Sequence, residues 1–128
     1  MDGPEVLRWC RGRPGVTEEF PFGPGVRVFK VAGRMFAACP AGDDPDRVSL
    51  KCDPRFAEHL RAEHPGVRPA YHMNKRHWNS VALDGGVPEQ VVRELLGHSY
   101  TLVVDALPRR VRAGLQARPT TPSTAQEE

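Results

Sequence analysis

The chain has 128 residues and a mass of 14.2 kDa, room for one domain with its own core but not for two. Its 18 basic and 16 acidic residues leave a net charge of +2, which excludes a histone-like polycation and an acidic buffer protein alike. With 12 Gly and 13 Pro it must turn often, which argues against a plain helical bundle.

Met1–Arg13 holds no apolar run of the signal-peptide kind, and no stretch approaches the ~18 apolar residues of a membrane span, so a cytoplasmic chain that avoids membranes is expected. Cys10, Cys39 and Cys52 are odd in number, far apart and without a CxxC pair. They read as small buried hydrophobes in a reducing compartment, with a reactive thiol as the alternative.

Asp2 to Arg11 reads as a short helix, capped by Asp2, with Pro4 in its first turn and Glu5 completing a capping box. A stiff, turn-rich approach, Phe20 to Gly25, leads into strands at Val26–Val31 and Arg34–Cys39, joined by a two-residue turn at Ala32-Gly33. On the first of these Phe29 is expected under the helices and Lys30 outward with Val26 and Val28. Pro40 to Asp46 is a polar loop. Arg47 to Cys52 alternates cleanly, with Val48 and Leu50 inward and Arg47, Ser49 and Lys51 on a wet face.

Asp53 caps a helix that opens at Pro54 and buries Phe56, Leu60 and Ala57. Pro65-Gly66 ends it, and an irregular segment, Pro69 to Arg76, follows. Trp78 to Leu83 is a fourth strand, which alternation places with Trp78 and Ser80 on the wet face. From Pro88, Val92, Leu95, Leu96, Ser99, Leu102, Val103 and Ala106 recur at helical spacing, with Gly97 as a candidate break or bend. The expected fold class is α+β: a two-layer sandwich with an antiparallel sheet of about four strands and helices on one face. The domain spans 1–108, and 109–128 is a flexible tail, first basic and then polar.

Several segments together resemble one family. They are Glu18-Glu-Phe-Pro-Phe-Gly23, Val28-Phe-Lys-Val-Ala-Gly-Arg-Met-Phe36, Ser49-Leu-Lys-Cys52, Tyr71-His-Met-Asn-Lys-Arg-His-Trp-Asn79, and His98-Ser-Tyr100 followed by Leu102-Val-Val104. In this order, over roughly Val16 to Pro108, the chain is similar to the MmcQ/YjbR family. The resemblance implies a frataxin-like (CyaY-like) fold and a DNA-binding protein with a proposed double-wing arrangement. The first helix is shorter than the family pattern and carries Pro4 and Gly12; nothing carries over to the tail.

Charge is segregated along the chain. Three stretches without acids carry Arg27, Lys30 and Arg34; Arg68, Lys75 and Arg76; and Arg109, Arg110, Arg112 and Arg118. A surface mixed for solubility would interleave both signs. DNA is therefore the expected partner, bound weakly and with strong salt dependence by a non-enzymatic protein, through Arg27, Lys30, Arg34, Arg47, Lys51, Lys75, Arg76 and Trp78. The alternative is a small-molecule or protein-binding module, with a pocket built from Tyr71, His72, Asn74, Lys75, His77 and Trp78 among the aromatic residues Phe20, Phe22 and Phe36. A monomer is expected.

No cofactor is implied. His72 and His77, like His59 and His64, are five apart, about 140° around a helix, so no metal site is expected either. Asp43, Asp44 and Asp46 read as a solvated turn. Adjacent Glu18 and Glu19 should point apart and so cannot share one site as an acid and a base.

Overall fold

A computed structural model describes residues 1–70 and 72–116. Helix α1 (Gly3–Arg11) starts as its sequence requires: the Asp2 carboxylate accepts from the Glu5 N–H, and the Glu5 side chain accepts from the Asp2 N–H. Six strands follow: β1 (Val16–Glu19), β2 (Val26–Val31), β3 (Arg34–Pro40), β4 (Arg47–Lys51), β5 (Val67–Pro69) and β6 (Trp78–Ala82). Helix α2 (Pro54–Glu63) lies between β4 and β5. Helices α3 (Glu89–Asp105) and α4 (Arg109–Gln116) close the described chain. The strands form one open, wholly antiparallel sheet in the order β1-β2-β3-β4-β6-β5. The core lies between the sheet and the helices, with α3 crossing β2, β3 and β4. The α+β class therefore holds, with six strands in place of about four.

Both unforeseen strands are short sheet edges. In β1 the polar run Thr17-Glu18-Glu19 hides the alternation, because Glu18 shares the helix-side face only by meeting Arg11 and Arg27. In β5 three residues, ending in Pro69, are too few to show a period, and an edge tolerates the missing N–H of proline.

The Ala32-Gly33 turn has φ of 50° and 79°, as a two-residue hairpin demands. Beyond it β3 departs from simple alternation. Lys30 pairs with Met35 and Phe29 with Ala37, so Phe36 is an extra residue, a β-bulge. Phe36 and Ala37 consequently both face the core, which returns Met35 and Ala38 to the open side. Phe29 is buried under the helices and Lys30 lies outward, as expected.

Helix α3 runs through Gly97 without a break. Three consecutive residues fasten it in three directions, as the ~100° step of a helix permits. His98 Nε2 accepts from the Asp53 N–H (3.1 Å) at the start of α2. Ser99 Oγ accepts from the Lys51 N–H (2.9 Å) and donates to the Phe36 carbonyl (2.5 Å). The Tyr100 hydroxyl donates to the Pro14 carbonyl (2.7 Å), and its ring meets Phe36 edge-on.

Residues 109–116, expected to begin a flexible tail, instead form α4. Leu115 is buried against Gly15, whose φ of +74° no bulky residue takes easily and where an added Cβ would sit 2.1 Å from Leu115 Cδ2. One buried leucine thus holds a helix whose other residues are mostly polar. Arg118 and the rest of the expected tail, 117–128, lie outside the described residues. No helix among the described residues is long and apolar enough to cross a membrane.

Replacing Ser99 by Ala leaves the Phe36 carbonyl and the Lys51 N–H buried without partners, so unfolding in urea should show a loss of about 2–4 kcal/mol. His98 offers a second check. Burial lowers its pKa against a weaker opposing pull from Asp53, so the folded protein disfavours the imidazolium. The stability this contributes is present above the unfolded pKa of roughly 6.5 and is lost as pH falls through the lower folded value. Between pH 7.5 and 5, Tm should fall more for the wild type than for His98→Gln, whose amide oxygen accepts at every pH.

Candidate functional site

The helices cover one face of the sheet; register defines the other. Ala38, Ser49 and Ser80 are partners across β3, β4 and β6. All three are small, so their row forms the floor of a groove running across the strands. Trp78 and Met35 line one flank, with Lys51, the β4 partner of Trp78, on the same face just outside the lining; Arg47 lines the other flank with Pro40 and Val26. Arg47, Ser49, Lys51, Trp78 and Ser80 thus share the open face that alternation assigned them. The groove encloses about 780 Å³, within the ~300–1,000 Å³ range of small-ligand sites.

Two loops complete the walls. The Phe20–Gly25 turn, closed by a hydrogen bond from the Gly23 N–H to the Phe20 carbonyl, holds Phe22 out at 70% exposure. From the other side the 72–77 loop supplies His72, Met73 and Asn74. Its shape is enforced from within and from below. Asn74 Oδ1 accepts from the Arg76 N–H (3.0 Å), an Asx turn. The His77 carbonyl accepts from the Cys52 N–H (2.7 Å), extending the β4–β6 pairing. Beneath lies Arg61 of α2, whose guanidinium donates to Asn79 Oδ1 (2.7 Å) and to the carbonyls of Lys75 and Trp78.

The geometry revises the expected contact set. Arg27 is only 7% exposed: its guanidinium donates to Glu18 Oε2 and to the Gly42 carbonyl, both at 2.7 Å. It is a structural residue, because the strand alternation that buries Phe29 also turns Arg27 inward. Trp78 is 8% exposed, so too little of its ring is open for a base to stack on it. Lys30 pairs with Glu19 (3.3 Å) and Arg47 with Asp46 (3.0 Å), both near the surface and cheap to exchange for another anion. Arg34 is exposed at the hairpin end, Lys75 and Arg76 are exposed on the loop, and Lys51 is half-buried.

Of the alternative pocket, His72, Asn74 and Trp78 line the groove, whereas Lys75 and His77 stand outside its lining. Tyr71 lies outside the described residues. Phe36, expected as a wall, belongs to the core.

Glu18 and Glu19 do face opposite ways. Glu18 lies between Arg11 and Arg27 and is held below the usual carboxylate range, chiefly by its hydrogen bond from Arg11. Burial pushes the Cys39 thiol, which faces the core beside Arg27, upward, and pushes that of Cys52 up to about 11, so both stay protonated at neutral pH. All three cysteines are free and buried. Among the described residues no group of three His, Cys, Asp or Glu side chains is placed to hold a metal ion.

Met35 and Met73 are wall residues that the sequence conceals, the first because the bulge at Phe36 erases the alternation that would have exposed it. Arg61 gives no signal either; on a helix it reads as one more surface cation.

The family model described as YjbR matches residues 11–102. This chain belongs to the YjbR family. The protein YjbR of Escherichia coli K12, described as uncharacterized, is 36% identical over 108 residues, covering 84% of this chain and 92% of that one. YbdF of Escherichia coli O157:H7, also described as uncharacterized, is 37% identical over 97 residues, 76% of this chain and 80% of its own length. A Deinococcus radiodurans protein with a DUF419 domain, known from a crystal structure, superposes with a TM-score of 0.82 at 37% identity, covering 99% of this chain and 97% of that one. The YjbR match stops before α4, whereas this superposition spans nearly the whole chain, so the pattern that defines the family does not extend to the last helix.

If Arg61 holds the groove wall, Arg61→Ala should accelerate amide exchange at Met73, Arg76 and His77, whose N–H groups are bonded within the loop. Exchange in α1 and β2 should not change, since neither touches the clasp.

Proposed function

We propose that this protein is a non-catalytic nucleic-acid-binding protein that uses the open face of its sheet and binds DNA. The observation that carries the reading is the charge of that face. Lys30 of β2, Arg47 and Lys51 of β4 and Arg68 of β5 share it, Lys75 and Arg76 stand on the adjoining loop, and the strand acid among them is Glu19 at the β1 edge. Phosphates are recognised by such a cluster whatever the sequence they carry. With a net charge of +2 for the whole chain, binding is modest and easily screened.

A second reading, a small-molecule or protein-binding module, is favoured by the volume and apolar walls of the groove. It predicts tight binding of one ligand with little response to salt.

Polarisation titrations of a labelled oligonucleotide at several salt concentrations separate the two. The nucleic-acid reading expects affinity to fall steeply with salt. The variant Lys51→Ala with Arg76→Ala should weaken binding and flatten the log–log salt slope by about 2, roughly one for each phosphate no longer neutralised. No binding at low salt, or an unchanged slope, would remove this face from nucleic-acid recognition.

A further inference from the structure

The relief of the sheet bears on which form of nucleic acid the open face accepts. A duplex keeps its bases paired and stacked inside, so it can offer a trough in a protein only its sugar–phosphate rim. The floor of Ala38, Ser49 and Ser80 has Arg47 on one flank and Trp78 on the other, with Lys51 on the same face beside Trp78. Its walls are apolar: Met35, Met73 and Trp78 on one side, Phe22 and Val26 on the other. Phe22 is 70% exposed, on a turn stiffened by Pro21 and Pro24, and so presents a bare aromatic ring to the groove.

Resting on the nucleic-acid reading, we infer that the groove takes unpaired nucleobases of a single strand, with Phe22 as a stacking platform and Arg47 and Lys51 holding the phosphates on either flank. Arg47 and Lys51 lie on either side of Ser49 on β4, and all three face outward, so their Cα atoms stand about 7 Å from that of Ser49 along the strand. An apolar slot between two cations matches a strand whose bases and phosphates separate into two layers. It does not match a purely apolar ligand, which would leave the cations unused. The surface ion pair of Arg47 with Asp46 would exchange for a phosphate, since exposed pairs hold only weakly. Bases stacking on aromatic rings need no particular sequence, so the site should tolerate many.

The test compares three probes on the full chain by fluorescence polarisation in low salt: a labelled oligothymidylate, a duplex of equal length, and thymidine monophosphate as competitor. The single strand should bind at least about 10-fold more tightly than the duplex. Phe22→Ala, which removes an exposed side chain and should leave Tm unchanged, should weaken the single strand about 5- to 100-fold without altering its salt slope. The same variant should leave the duplex unaffected. Equal affinity for strand and duplex, or no effect of Phe22→Ala, would overturn the inference while leaving the nucleic-acid reading intact. Displacement by the monophosphate at the oligonucleotide's own affinity would overturn it in favour of a nucleotide pocket. Binding of neither polymer would overturn both.

Discussion

One hydroxyl group ties helix α3 to both central strands of the sheet. Ser99 Oγ sits where β3 and β4 part, taking the Lys51 N–H and giving its own hydrogen to the Phe36 carbonyl. The β3–β4 pairing holds only at Ala37 with Leu50 and at Ala38 with Ser49. One step further the bulge displaces Phe36, and the ladder would leave a buried donor and a buried acceptor unpaired. A helix side chain replaces the missing rung, so the bulge, the register of β4 and the seat of α3 depend on one another.

The bulge also decides what the open face looks like. Without the extra residue, strict alternation would carry Phe36 out of the core and Met35 into it. With it, Phe36 packs against Phe29 and Tyr100, and Met35 joins the groove. The groove exists because the residues between its flanks are small, and it keeps its walls because Arg61 reaches from the helical layer to the 72–77 loop. An element of the core side thus shapes the open side without standing on it.

Electrostatics divides the arginines between structure and surface. Arg11 and Arg27 both close on Glu18, at the junction of α1, β1 and β2. Arg61 is consumed in the loop clasp and Arg13 lies over Trp9, 4.4 Å from its ring. A run of cations in the sequence therefore overstates what a partner meets. What survives at the surface, around the groove, is a smaller set in which Lys51, Arg34 and Arg76 remain accessible.

The sequence by itself determined the elements whose signals are local: the capping box at Asp2, the turn at Ala32-Gly33, the alternation of β4, and the long apolar stripe of α3. These depend on neighbours within a few residues, where propensity and period act directly. The family, too, was legible in the ordered motifs from Glu18 to Val104. Tertiary structure alone decided the rest. The edge strands β1 and β5 are too short or too polar to show a period. Helix α4 stays on the body of the protein because Leu115 finds the gap above Gly15. Arg27 is a surface cation by composition, yet buried because Glu18, nine residues earlier, comes to lie beside it. His98, Ser99 and Tyr100 acquire their tasks only once 45 to 86 residues of intervening chain have folded back upon them. Local sequence carries period and capping; it carries no account of which distant backbone group will lack a partner, and that shortage is what these side chains supply.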